Sequence, residues 1–148
     1  MALLAPERGE PTPIAQVLSY PMLDDRRTDG SGDPRLLRLW NRSSNIFGWD
    51  AYLGFLADEA VPATAAPARA EDLSGLPATW IGVGTNDLFH DEDVRWAVRL
   101  DAAGVPCVLH VVDGAYHGFD VAEPRAEVSR VFLRARLGAL RAALADDT

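Results

Sequence analysis

Short apolar runs alternate along the chain with longer segments in which apolar residues recur every three or four positions. The runs lie at residues 14–20, at residues 80–84 and at Cys107–Val112. Each run is short and is bounded by prolines, glycines or acidic turn residues, a pattern that predicts a strand. The longer segments, residues 91–103 and about 124–145, have the period of helices. Strands separated by helices predict an α/β fold with about three parallel strands, in the order βαβαβα.

The first half of the chain is less regular. Residues 1–10 predict the last turns of a helix, because Arg8-Gly9 is a typical helix end and prolines follow it. Residues 24–34 are polar and rich in glycine, and they predict a loop. Residues 35–56 contain many large apolar side chains and predict one or two short helices, interrupted near the Ser-Ser-Asn of residues 43–45.

The two regular helices carry charged residues on one side. In residues 91–103, the pattern predicts a solvent-facing stripe of Glu92, Arg95 and Arg99. The acids at the start of this helix suit its positive end. In residues 124–145, the predicted polar face consists of Glu127, Arg130, Arg134 and Arg141. The predicted apolar stripe consists of Leu133, Leu137, Leu140 and Leu144.

Composition indicates one ordinary globular domain. The 148 residues are 48% apolar, which is enough for a single core. A net charge of −8 disfavours binding to a nucleic-acid backbone. No apolar run approaches the roughly 18 residues that cross a bilayer, and residues 2–5 are too short for the core of a signal peptide, so a cytoplasmic location is expected. The single cysteine, Cys107, lies in a predicted strand and is expected to be a small core residue.

An acid and a histidine follow the second and third predicted strands. Asp87 comes just after residues 80–84, and His117 lies in the Asp-Gly-Ala-Tyr-His-Gly sequence that follows Val112. Because parallel strands end at the same edge of a sheet, where open α/β sheets place their ligand chemistry, both side chains are expected there. An aspartate can then fix the tautomer and orientation of a histidine base. A nucleophile should precede both, but the chain contains no Gly-x-Ser-x-Gly sequence.

Two other kinds of site are considered and rejected. Gly82 and Gly84 follow a strand as in a dinucleotide-binding loop, but Asp87 occupies the third glycine position. Adjacent side chains on a helix point apart, so a cluster at the start of the helix of residues 91–103 is a poor metal site. The possible ligands in that cluster are His90, Asp91 and Asp93. No metal or cofactor is therefore expected, and Asp91 is explained as a helix cap.

One further histidine and the tryptophans are also considered as functional residues. His110 lies inside a strand and is expected to be structural. The tryptophans are expected to be mostly core residues, although Trp40 or Trp49 is a candidate for lining an apolar pocket.

Several separate motifs together resemble one family. They are Y-P-M-L-D-D-R at residues 20–26, W-N at 40–41, W-x-x-Y-L-G at 49–54, L-S-G-L-P-A-T-W-I-G-V-G-T-N-D-L-F-H-D-E-D at 73–93, A-G-V-P at 103–106 and Y-H-G-F at 116–119. In order and spacing, the chain resembles the α/β-hydrolase superfamily, specifically the hormone-sensitive-lipase-like carboxylesterases. The motifs match the C-terminal half of that catalytic domain. The resemblance implies a partial α/β-hydrolase fold over residues 1–148, truncated at the N-terminus.

The resemblance also implies roles for particular side chains. Asp87 corresponds to the acid of a catalytic triad, His117 to its base, and Asp91 to a carboxylate that supports the same loop. The family's H-G-G oxyanion motif and G-D-S-A-G nucleophile motif are expected upstream of Met1. Ser31, in G-S-G-D-P, is the nearest local imitation, but it lacks the strand–turn–helix setting that exposes a nucleophile.

Three functions are compatible with these patterns. The resemblance implies a part of a serine carboxylesterase, which acts on a small-molecule ester when a complementing half supplies the nucleophile. The isolated chain is expected to be inactive, because triad members act as a unit. The alternatives are a non-catalytic remnant that serves as an interaction module, and an unrelated small α/β binding domain. The apolar strand at residues 14–20, left without a neighbour on one side, also predicts self-association or instability.

Overall fold

The computed structural model describes residues 2–26, 33–56 and 60–145. Its helices are α1 Leu4–Arg8, α2 Arg42–Leu53, α3 His90–Ala102, α4 Phe119–Ala122 and α5 Glu127–Ala145. Its strands are β1 Ala15–Ser19, β2 Ala78–Gly84 and β3 Cys107–Val112. Single 3₁₀ turns lie at Gly54–Leu56 and Pro67–Arg69.

The strands form one parallel sheet in the order β1-β2-β3. Trp80 of β2 lies between Val17 of β1 and Val108 of β3, which fixes the register of the three strands. The predicted α/β class, with about three parallel strands and flanking helices, is confirmed. β2 is the central strand and is buried on both faces, as expected where helices cover both sides of a parallel sheet.

Adjacent residues of β2 point into two separate cores, because side chains alternate along a strand. Ile81 packs on one face with Trp96 and Leu100 of α3. Trp80 packs on the other face with Phe119 and Phe132, the latter on α5. Layers of helix, sheet and helix therefore leave the C-terminal ends of β2 and β3 free to carry loops at one edge.

The contact face of α3 differs from the prediction. Glu92 was expected in a solvated stripe but is buried, and so is Asp93. Arg95 is exposed as predicted, whereas Arg99 is half-buried and donates hydrogen bonds to the carbonyl oxygens of Ala68 and Ala70. The reason is that Glu92 accepts hydrogen bonds from backbone groups of the segment after β1, so its carboxylate faces inward.

The contact face of α5 also differs. Its predicted apolar stripe is 38–56% exposed rather than packed on the sheet, and we refer to it as the α5 leucine stripe: Leu133, Leu137, Leu140 and Leu144. The helix instead packs through Phe132, which is fully buried. A Cβ at Gly82 would lie 2.4 Å from the Phe132 ring, so glycine at this position of β2 makes room for that ring. The predicted polar face is confirmed at Glu127, which pairs with Arg130 and Arg134.

Three smaller differences concern helix boundaries. α2 begins at Arg42, so residues 43–45, where an interruption was predicted, form its first turn, and Asn41 caps the helix by accepting the N–H of Ser44 at 3.1 Å. The last helix begins at Glu127 rather than near residue 124. The short α4 was not predicted.

The third strand is less buried than its apolar sequence suggests. Val108 and Val111 of β3 are 61% and 42% exposed, because this strand is an edge of the sheet. Cys107 is partly buried against the core under α3. Within the described ranges, no helix combines the length and the apolar character needed to cross a membrane.

Candidate active site

The loops after β2 and β3 are joined by hydrogen bonds. The backbone N–H groups of Thr85 and Asn86 donate to the carbonyl oxygens of Val112 and Ala115, each at 3.0 Å. A Cβ at Gly84 would lie 2.1 Å from the carbonyl oxygen of Ala115, so only glycine allows this approach. The loop that carries Asp87 is thereby held against the loop that carries His117.

The two predicted site residues meet at this edge. The Nδ1 atom of His117 lies 3.1 Å from Oδ2 and 3.3 Å from Oδ1 of Asp87. The Asp87 side chain is completely buried, and its Oδ1 also accepts the backbone N–H of Phe89 at 3.0 Å. A carboxylate that accepts at Nδ1 favours the tautomer with its proton on that atom, which leaves the Nε2 lone pair available.

The histidine ring is partly accessible. The His117 side chain is 20% exposed. Among the described residues, the hydrogen bonds of this ring are those from Nδ1 to Asp87, and no serine in those ranges is bonded to it. Ser31 lies outside the described residues. The arrangement therefore provides an oriented base at the edge of the sheet.

Aromatic rings from three other segments surround the histidine. The ring of Tyr20, at the end of β1, makes a T-shaped contact with His117 at a centroid distance of 4.6 Å. Phe89 makes a second T-shaped contact at 5.3 Å, and Trp40 lies at 5.8 Å. Trp40 was a candidate for lining an apolar pocket, and the structure places it beside His117. Tyr20 was part of a recognised motif, but no role was predicted for it.

The acids at the start of α3 have three different environments. Asp91 accepts a hydrogen bond from Nδ1 of His90 at 2.9 Å. Glu92 accepts the backbone N–H groups of Leu23 and Asp24, and burial raises its pKa to about 7. The sequence placed all three acids at the helix start, but it gave no sign that Glu92 would hold the segment after β1.

Asp93 is the most unusual of these acids. It is fully buried, and neither carboxylate oxygen has a hydrogen-bond partner among the described residues. Burial, and then the neighbouring charges of Glu92 and Asp87, raise its pKa to about 10. Asp93 is therefore protonated at neutral pH in the folded chain.

The remaining candidates have structural surroundings. His110 lies near the rings of Trp80 and Phe132, with centroids at 5.9 and 6.0 Å. Trp49 is buried, with its centroid 6.1 Å from that of Tyr52. In the part of the chain that the structure describes, no three His, Cys, Asp or Glu side chains are grouped as metal ligands.

The fold and this geometry agree with comparisons to known proteins. The protein family described as alpha/beta hydrolase fold matches residues 1–121. Carboxylesterase NlhH of Mycobacterium tuberculosis is 34% identical over 131 residues, which cover 80% of this chain and 38% of NlhH. Esterase LipW from Mycobacterium marinum has a TM-score of 0.84 at 32% identity, covering 97% of this chain and 45% of that structure. A bacterial heroin esterase has a TM-score of 0.82 at 33% identity, covering 97% of this chain and 46% of that structure.

This chain belongs to the α/β-hydrolase fold family, and the predicted resemblance to the hormone-sensitive-lipase-like carboxylesterases is confirmed. It spans less than half the length of each of these three relatives. Its fold is accordingly a partial α/β-hydrolase fold.

Proposed function

We propose that this chain supplies the acid and the base of a serine-type carboxylic ester hydrolase, with Asp87 as the acid and His117 as the base. The observation that carries the proposal is the hydrogen bond between Asp87 and His117 at the C-terminal edge of the sheet. The relatives are esterases by name, and this supports a small-molecule ester as the substrate class.

The proposed reaction uses the Nε2 atom of His117, the ring nitrogen that is not bonded to Asp87. Nε2 of His117 removes the proton of a serine hydroxyl as the serine oxygen bonds to the ester carbonyl carbon. The buried Asp87 carboxylate stabilises the imidazolium that forms. His117 then gives the proton to the departing alcohol as the ester C–O bond breaks. His117 next takes a proton from water as the water oxygen bonds to the acyl carbon, and it returns that proton to the serine oxygen as the acyl–serine bond breaks.

The serine must come from a segment with a Gly-x-Ser-x-Gly motif, which the 148-residue sequence does not contain. We therefore propose that the isolated chain does not hydrolyse esters, because an acid–base pair without its nucleophile and oxyanion donors retains little of the catalytic advantage. A short-chain p-nitrophenyl ester and a fluorophosphonate probe test this directly. Turnover together with labelling of a serine in this chain would contradict it.

A chimera tests the proposed roles themselves. Residues 1–148 replace the matching segment of carboxylesterase NlhH, and under this proposal the remaining part of that relative provides the nucleophile. Turnover of the p-nitrophenyl ester that falls at least roughly 1000-fold in His117→Ala supports the proposal. A chimera whose turnover is unchanged by His117→Ala would show that this histidine is not the base.

A second candidate function is a non-catalytic interaction module. It is favoured by the exposed α5 leucine stripe and by the two edge strands, which offer apolar surface and unpaired backbone groups. Self-association through these surfaces is part of this proposal.

A further inference from the structure

Tyr20 has a backbone conformation that is rare for its residue type. It directly follows β1, and its φ of 40° lies in the left-handed region, which non-glycine residues occupy at a cost in energy. Its backbone N–H donates to the carbonyl oxygen of Gly82 at 2.7 Å, so the unusual conformation is tied to the central strand.

The Tyr20 side chain is held at its hydroxyl group and at its ring. The hydroxyl group donates to Oδ1 of Asp120 at 2.8 Å, and the other oxygen of Asp120 lies 3.5 Å from the Arg136 guanidinium. The ring lies nearly parallel to Phe132, with an interplanar angle of 11° and a centroid distance of 6.3 Å. Burial and the Asp120 carboxylate raise the pKa of the Tyr20 phenol, so the hydroxyl remains a donor.

The Tyr20 ring, held in this way, contacts the ring of His117. The centroid distance is 4.6 Å and the interplanar angle is 63°, the geometry of an edge-to-face contact. Asp87 restrains the histidine at Nδ1 alone, and a ring held at one atom can still tilt about that hydrogen bond. Tyr20 and Phe89 contact the histidine ring itself and so restrict the tilt.

We propose that Tyr20 is a positioning residue for His117: its anchored ring holds the imidazole in the orientation in which Nδ1 stays on Asp87 and Nε2 faces the reaction partner. The value of this orientation for catalysis rests on the proposed function. The positioning itself does not, and it is testable on the chain alone.

The first test is nitrogen NMR of the three histidines, His90, His110 and His117, at mildly alkaline pH. The ring nitrogen shifts report which tautomer is present. His117 should be held in the tautomer with its proton on Nδ1 in the unaltered chain. It should shift toward a mixture of tautomers in Tyr20→Leu, which lacks the aromatic ring, and to a smaller extent in Tyr20→Phe, which lacks the anchoring hydroxyl. The His110 signals should not change.

The variant Tyr20→Phe keeps the test decisive even if Tyr20→Leu does not fold, because it changes a single atom. A His117 tautomer that is unchanged in Tyr20→Phe would overturn the proposal. Equal changes at His110 and His117 would also overturn it, because they indicate general loosening. Tyr52→Leu is the matched control, since this tyrosine is half exposed and contacts Trp49.

The second test uses the NlhH chimera. Tyr20→Phe should lower kcat by roughly 10- to 100-fold with little change in KM, because the base is misaligned while substrate binding is unaffected. A rise in KM at constant kcat would contradict a positioning role. Failure of the proposed function gives a different pattern, in which His117→Ala leaves turnover intact while the NMR result for Tyr20 still holds.

Discussion

The Oε1 atom of Glu92 accepts the backbone N–H of Leu23 at 2.7 Å, although 69 residues separate the two positions. The same oxygen accepts the N–H of Asp24 at 3.3 Å. The first turn of α3 thereby holds the segment that begins with Tyr20. Burial raises the pKa of Glu92 to about 7, so the fold keeps an acid in an unfavourable place to satisfy two backbone groups.

Removal of this acceptor should destabilise the chain. Glu92→Ala leaves two backbone N–H groups without a partner and should lower the free energy of unfolding by about 2–3 kcal/mol. Glu92→Gln keeps a side-chain oxygen and should cost clearly less. Urea unfolding measures both, with Glu127→Ala on the exposed face of α5 as the control. An alanine variant as stable as the unaltered chain would show that these bonds contribute nothing.

Because of Asp93, the free energy of unfolding of the chain should fall as the pH rises. Its pKa is about 10 in the folded chain, whereas an unfolded aspartate titrates near about 4. Between these values the folded chain holds a proton that the unfolded chain has released. The contribution of this group is therefore fully present below about pH 4 and is lost progressively as the pH approaches 10.

The variant Asp93→Asn isolates this effect. It removes the titrating group, so its free energy of unfolding should decline less between about pH 8 and about pH 10, above the Glu92 pKa of about 7. Urea unfolding at a series of pH values gives the two curves. Asp101→Asn, on the exposed part of α3, is the control. Parallel curves for the unaltered chain and Asp93→Asn would refute the prediction.

Gly84→Ala should separate the two loops of the site. The added Cβ would lie 2.1 Å from the carbonyl oxygen of Ala115, and backbone must move to relieve the overlap. We expect a loss of about 1–3 kcal/mol of stability. The hydrogen bond of His117 to Asp87 should weaken, as measured by the NMR tautomer ratio. Gly138→Ala in α5 is the control, since a Cβ there meets nothing within 4 Å.

Asp87→Asn tests the acid in the NlhH chimera. An asparagine can donate to Nδ1 and so favour the wrong histidine tautomer, and kcat should fall by roughly 1000- to 10,000-fold. The fold should be retained, because the amide oxygen can still accept the N–H of Phe89. Circular dichroism checks the fold. A fall of less than tenfold would mean that Asp87 does not orient the base.

Self-association should depend on the exposed apolar surface. Sizing chromatography of the isolated chain should show species larger than a monomer. Charged residues in the α5 leucine stripe, as in Leu137→Glu with Leu140→Glu, should shift the population toward monomer if the helix carries the contact. A lysine at Val108 of β3 should do so if the strand edge carries it. A monomeric unaltered chain would contradict the prediction.

Local patterns in the sequence were sufficient for much of the fold. The apolar run at Cys107–Val112 matches β3 at both ends, because turn residues bound it on both sides. The segment after Asp87 matches α3 within one residue. The order of strands and helices predicted that Asp87 and His117 lie at one edge, and the structure places them in contact. Their catalytic roles remain proposals.

Local patterns were not sufficient where a helix had more than one surface able to be buried. α5 has a regular leucine stripe, but it packs on the sheet through Phe132, because Gly82 leaves a space that this aromatic ring fills. The start of α3 carried three acids suited to a helix N-terminus, and the sequence did not distinguish Glu92, which faces Leu23, from its neighbours.

The sequence by itself determined the three strands, the two regular helices, their order and the edge at which an acid and a histidine emerge, because these follow from periodicity and turn residues within short segments. Tertiary structure alone decided which faces are buried, that Asp93 has no partner in the described chain, and that Tyr20 lies on the histidine ring. Those outcomes depend on contacts between residues far apart in the chain, as with the 100 residues between Tyr20 and Asp120, and no local pattern encodes such a contact.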